Sequence, residues 1–96
     1  LKIDLQNGYS NDLVVIRVNG KEVFRKNGVT TKLLLGVADS IQLEVSDMLA
    51  KVDVDIPSKD LSETMSLRLS APTYLGISVI GGQIAYMINK EPFAYF

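Results

Sequence analysis

The chain has no cysteine, no histidine and no tryptophan, and only three prolines in 96 residues. Without thiols or imidazoles, several chemistries fall away together: disulfide staples, thiolate nucleophiles, Cys/His zinc sites, imidazole acid–base catalysis and serine triads. The lack of cysteine leaves the compartment open, because a thiol-free domain works on either side of a membrane. Charge of one sign is missing too: ten Lys and Arg are interspersed with eleven Asp and Glu, for a net charge of −1. No basic patch of the kind that drives phosphate binding occurs, so nucleic acid is not an expected partner. No run of about 18 apolar residues exists, so membrane insertion is not expected either. The chain opens on Leu1 without a basic and apolar leader pattern. That start suits a processed chain or a module of a larger, exported protein.

What is present is ordinary globular material, 47% hydrophobic and 22% charged, which argues for one folded domain over 1–96 and against disorder. Alternation with a period of two dominates, and helical periodicity is nearly absent. The pattern predicts strands at 1–6, 13–18, 21–26, 30–36, 40–46, 51–57, 63–70, 74–80 and 83–89. Turn residues separate them: Asn7-Gly8, Asn19-Gly20, Asn27-Gly28, Pro57-Ser58, Ala71-Pro72 and Gly81-Gly82. Asp60 to Glu63 has the spacing of a helix capping box, but the alternating stretch after it makes it a turn. The segment "TKLLLGVA" is the one stretch with a short helix as an alternative. The expected fold is all-β, an antiparallel β-sandwich of immunoglobulin-like or related architecture with about eight or nine short strands.

Hairpin arithmetic places the side chains. A two-residue turn at Asn19-Gly20 opposes Arg17 to Glu22, Ile16 to Val23 and Val15 to Phe24. Paired residues share a face, so Val14, Ile16, Val18 and Val23 read as core. The reverse then carries Leu13, Val15 and Phe24, which is too apolar for a solvent face. These three are candidate protein-contact residues. A turn at Gly81-Gly82 pairs Val79 with Ile84, Ile77 with Tyr86 and Leu75 with Ile88 on the core side. On its reverse, Gly76 opposite Met87 leaves a groove beside Tyr74, a candidate ligand contact with Met87.

A loop at 47–50 would pair Val45 with Val52, Leu43 with Val54 and Ile41 with Ile56. It would also set Glu44 across from Asp53, near Asp55. Like charges so opposed need compensation, either from a neighbouring cation such as Arg68 or from a bound Ca²⁺. Glu44, Asp53 and Asp55 are thus candidate metal ligands. Finally, three of the seven aromatics (four Tyr, three Phe) stand in the last four residues. Phe93, Tyr95 and Phe96 either close the sandwich or offer a platform to a ligand. No nucleophile–base pair or phosphate loop is evident. The expectation is a non-catalytic module without a cofactor, whose partner is protein, either another copy or a neighbouring domain. The alternative is a small ligand or carbohydrate held by the 74–88 groove or the C-terminal aromatics.

Overall fold

Apolar alternation does build a sandwich. The computed structural model describes residues 1–95, and within them eight strands form two packed sheets. The strands are β1 (Lys2–Leu5), β2 (Asp12–Val18), β3 (Lys21–Val29) and β4 (Asp39–Gln42), then β5 (Leu49–Ile56), β6 (Leu61–Arg68), β7 (Tyr74–Ile80) and β8 (Gln83–Asn89). A 3₁₀ turn at Pro57–Lys59 separates β5 from β6. One sheet has the order β4-β1-β7-β8, the other β3-β2-β5-β6. Neighbours run antiparallel except β1 and β7, which are parallel. The core between the sheets is the period-two set: Ile3 and Leu5, Val14 and Ile16, Val52 to Ile56 at alternate positions, Leu75 and Ile77, each 0–2% exposed.

Both two-residue turns form as expected. Asn19 and Gly20 have φ of 51° and 82°, and Gly81 and Gly82 have 59° and 75°, the doubly positive pattern that matches strand twist. The β7–β8 register follows the arithmetic throughout, from Ile80 opposite Gln83 to Tyr74 opposite Asn89.

Three expectations need correction. First, the β2–β3 ladder slips: Arg17 faces Glu22, but Ile16 faces Phe24 and Val15 faces Arg25. Val23 is the extra residue of a bulge, and such an insertion turns every later side chain to the other face. Second, 30–36 is not a strand. The Lys32 carbonyl accepts from the N–H groups of Leu35 (2.9 Å) and Gly36 (2.8 Å), and Lys32 donates to the Val37 carbonyl at 3.1 Å. The chain makes one tight turn there and leaves it at Gly36, whose φ is 74°. Third, β4 and β5 are not a hairpin. β4 pairs with β1, Ile41 facing Ile3, whereas β5 lies between β2 and β6 in the other sheet. Alternation says that Ile41, Val52 and Val54 look inward; it does not say which strand each lies beside.

Gly8 docks the β1–β2 connection, where the chain leaves one sheet for the other, onto β7. It sits at φ 89°, and a Cβ there would lie 2.0 Å from the Val79 carbonyl oxygen. That closeness lets Val79 N–H reach the Asn7 carbonyl at 2.8 Å. Beside it Tyr9 is buried and donates its hydroxyl to the Ile77 carbonyl at 2.9 Å. Thr31 closes the same corner: its hydroxyl accepts from Tyr9 N–H and donates to the Gln6 carbonyl at 2.7 Å.

Candidate functional site

The expected contact face does not assemble. The bulge carries Phe24 to the inner side, where it is half-buried against the core together with Val23. Leu13 is half-buried and Val15 is only 3% exposed. Arg25 takes the place across from Val15 and pairs with Glu22 at 2.8 Å. The outer surface of this sheet is therefore ionic, and Leu13, Val15 and Phe24 form no joint patch.

The expected carboxylate cluster is dispersed by the change of sheet. Glu44 lies in the segment that crosses from β4 to β5, away from the Asp53 position on the ladder. Asp53 faces Arg17 and Thr64 across its two neighbouring strands, and accepts from the Thr64 hydroxyl at 2.5 Å. Asp55 takes the Arg17 guanidinium at 2.8 Å. The compensating cation that sequence required is Arg17, not Arg68, because β2 rather than β4 is the neighbour of β5. Among the described residues no three acidic side chains converge as metal ligands.

The aromatic tail is tied down on the outer face of the β4-β1-β7-β8 sheet. Tyr95 donates its hydroxyl to Asp4 at 2.6 Å and accepts from the Gln6 side-chain amide at 3.0 Å. Asp4, itself 3% exposed, also accepts from the Ser40 hydroxyl at 2.6 Å. Burial, then the Asp4 carboxylate, pushes the Tyr95 phenol up to about 12, against a smaller opposing effect of Gln6. Phe93 is half-buried, and Phe96 lies outside the described residues. The groove beside Tyr74 is occupied as well: the Gln6 amide approaches so closely that a Cβ on Gly76 would meet it at 2.6 Å. Between Gln6, Ser78, Ile80 and Met87 a depression of about 200 Å³ remains.

Three features escaped the sequence reading. Asp12, 2% exposed, accepts from Ser10 N–H (2.8 Å), the Ser58 hydroxyl (2.7 Å) and the Lys59 ammonium (2.9 Å). Burial pushes its carboxyl up, but these three partners together hold it below the usual carboxylate range. No local pattern marks it, since two of its three partners, Ser58 and Lys59, come from beyond β5 in the chain. The tight turn after β3 leaves Leu33 and Leu34 over 90% exposed. The third feature is β8, an edge strand that exposes Tyr86 (48%), Met87 (63%) and Ile88 (50%) beside Ile80 (62%). Alternation in "QIAYMIN" is visible in sequence; that no strand among the described residues pairs with its far side is not.

The class the fold defines is thus a two-sheet, all-β sandwich. No protein-family model matches the chain, and neither the characterised proteins nor the solved structures compared with it yield a match.

Proposed function

We propose that the chain is a non-catalytic binding or assembly module that makes protein–protein contact through an apolar sheet surface. The observation that carries this reading is β8: seven residues, none charged, at the margin of a sheet, with three large apolar side chains about half exposed or more. Several polar side chains on the sheet exteriors are engaged with one another, as at Arg17–Asp55, Glu22–Arg25 and Asp4–Tyr95. Ile80, Tyr86, Met87 and Ile88 thus form a row of exposed apolar side chains along one margin, and apolar surface grouped in this way marks a protein interface.

The immunoglobulin-like description extends to two packed sheets and no further. Here β2 and β3 are neighbours in one sheet, whereas constant-type immunoglobulin domains place their second and third strands in opposite sheets. The second reading, a small ligand or carbohydrate, has less support. Its groove holds Gln6, the remaining depression of about 200 Å³ is below the usual size of a ligand pocket, and the Tyr95 hydroxyl is already committed.

The test is site-specific photocrosslinking in the native host, with a photoreactive residue at Met87 and, as control, at Ser66 on the outer face of β6. A discrete protein adduct at 87 and none at 66 is expected. Absence of an adduct at 87, or equal adducts at both positions, overturns the reading.

A further inference from the structure

The sandwich has four margins, and three are guarded against pairing with another chain. β3 carries Lys21, Glu22, Arg25 and Lys26, and its ladder is broken by two register shifts. β4 is only four residues long and begins with Asp39. β6 contains Glu63 and Arg68. Charges, bulges and short length are the devices that keep an edge from acting as a template. β8, Gln83–Asn89, has none of them: it is uncharged, its register with β7 is unbroken, and its far side pairs with no strand among the described residues.

Its sequence is also symmetric in character about its centre. Reading outward from Tyr86 gives Ala85 and Met87, then Ile84 and Ile88, then Gln83 and Asn89. The hydrogen-bonding parity fits the same centre. A two-residue turn closes on a hydrogen-bonded pair, here Ile80 and Gln83. The odd-numbered residues of β8 therefore aim N–H and C=O at β7, and Ile84, Tyr86 and Ile88 aim theirs away from the sheet.

From these observations, and resting on the reading of β8 as a protein-contact surface, we infer that the partner is a second copy of this chain, joined β8 to β8 antiparallel across a twofold axis at Tyr86. In that register Tyr86 faces its own counterpart and Ile84 faces Ile88, with about six backbone hydrogen bonds across the axis. The two four-stranded sheets become one of eight. The inner side of β8 explains the benefit: its neighbours Leu75 and Ile77 are 0% exposed, whereas Ile88 and Tyr86 opposite them are about half exposed. A second copy supplies the missing cover, and a twofold contact makes each residue serve both sides. One paired edge falls short of the area of a tight complex, so the dimer is micromolar rather than nanomolar.

The register makes a sharp test possible because the chain has no cysteine of its own. Residue 85 of one copy lies across from 87 of the other in a non-hydrogen-bonded pair, about 4.5 Å between Cα atoms, within disulfide range. Ala85→Cys and Met87→Cys proteins, mixed under mild oxidation, are expected to form a disulfide dimer at least tenfold faster than either variant alone. Alongside, light scattering on the wild type should show the molar mass rising from 10.6 kDa towards twice that value with concentration. Ile88→Lys should raise the dissociation constant at least tenfold while keeping a cooperative thermal transition. No dimer in the mixture, equal rates in the single variants, or a wild-type monomer at all concentrations overturns the inference. The crosslink at Met87 separates the two levels: an adduct with a different protein alone ends the self-pairing inference and keeps the contact surface, and no adduct ends both.

Discussion

Gly8 illustrates how one residue can fix the path of the chain where it leaves a sheet. Two separate physical costs meet there. A φ of 89° is a backbone state that side-chain-bearing residues rarely adopt, and the space a Cβ needs is filled by the Val79 carbonyl, a backbone group with no freedom to swing aside. Gly8→Ala is therefore expected to cost at least about 2 kcal/mol, which for a domain of this size lowers Tm by roughly 10 °C. Gly81→Ala provides the comparison, since it shares the positive φ but has open space around it. Thermal melts of both variants check the point: equal losses would mean that φ alone, not the contact with β7, makes Gly8 necessary.

At the scale of strands, what sequence disclosed depended on how local the governing interaction was. The turns at Asn19-Gly20 and Gly81-Gly82 were legible because two adjacent residues carry the required backbone state. The inward set was legible because burial on one side of a pleat imposes period two. The bulge at Val23 was not, because "KEVFRK" offers an apolar residue to either register: Val23 serves the unslipped ladder and Phe24 the slipped one. The same limit scattered the candidate site. Glu44, Asp53 and Asp55 stand opposed only in a β4–β5 hairpin, whereas β4 pairs with β1, a contact some forty residues away in sequence. The slipped ladder has its own test. Phe24→Ala removes a ring packed partly on the core and is expected to cost about 2 kcal/mol, less than a fully buried Phe. Leu13→Ala, on the outer side, is expected to cost about half of that or less. Denaturant unfolding of the two variants distinguishes the faces, and the opposite ranking would restore the unslipped register.

For the molecule as a whole, the ionisable groups define the pH range in which the sandwich is stable, and the two limits have different owners. On the acid side stands Asp12. Burial disfavours its charge, but Ser10, Ser58 and Lys59 together hold its folded pKa below the ordinary value, and Asp39 is lowered likewise against burial by Lys26 and Ser40. A carboxylate lowered by folding contributes stability that is fully present above its unfolded pKa, about 4. It is lost as pH falls through the folded value, because the unfolded chain then binds the proton first. On the alkaline side stand the tyrosines. Tyr95 is pushed up to about 12 by burial and then by Asp4, and Tyr9 is raised by burial and then by Asp12. Between about pH 10, where an unfolded phenol ionises, and the folded value, the unfolded chain has released a proton that the folded one retains. Stability therefore falls as pH rises through that window. Tm measured from pH 2 to 12 should show a plateau between about pH 5 and 9, with separate losses on either side. Asp12→Asn should flatten the acid limb and make the alkaline limb slightly shallower, because the charge that helps raise Tyr9 is gone, while its plateau drops because the Lys59 ammonium loses its buried counter-charge. Tyr95→Phe should flatten only the alkaline limb, and incompletely, because Tyr9 remains. An acid limb of unchanged steepness in Asp12→Asn would mean that other carboxylates carry the acid transition, and that the anchoring of the Pro57–Lys59 turn to β2 is structural without being the pH-sensitive joint of the fold.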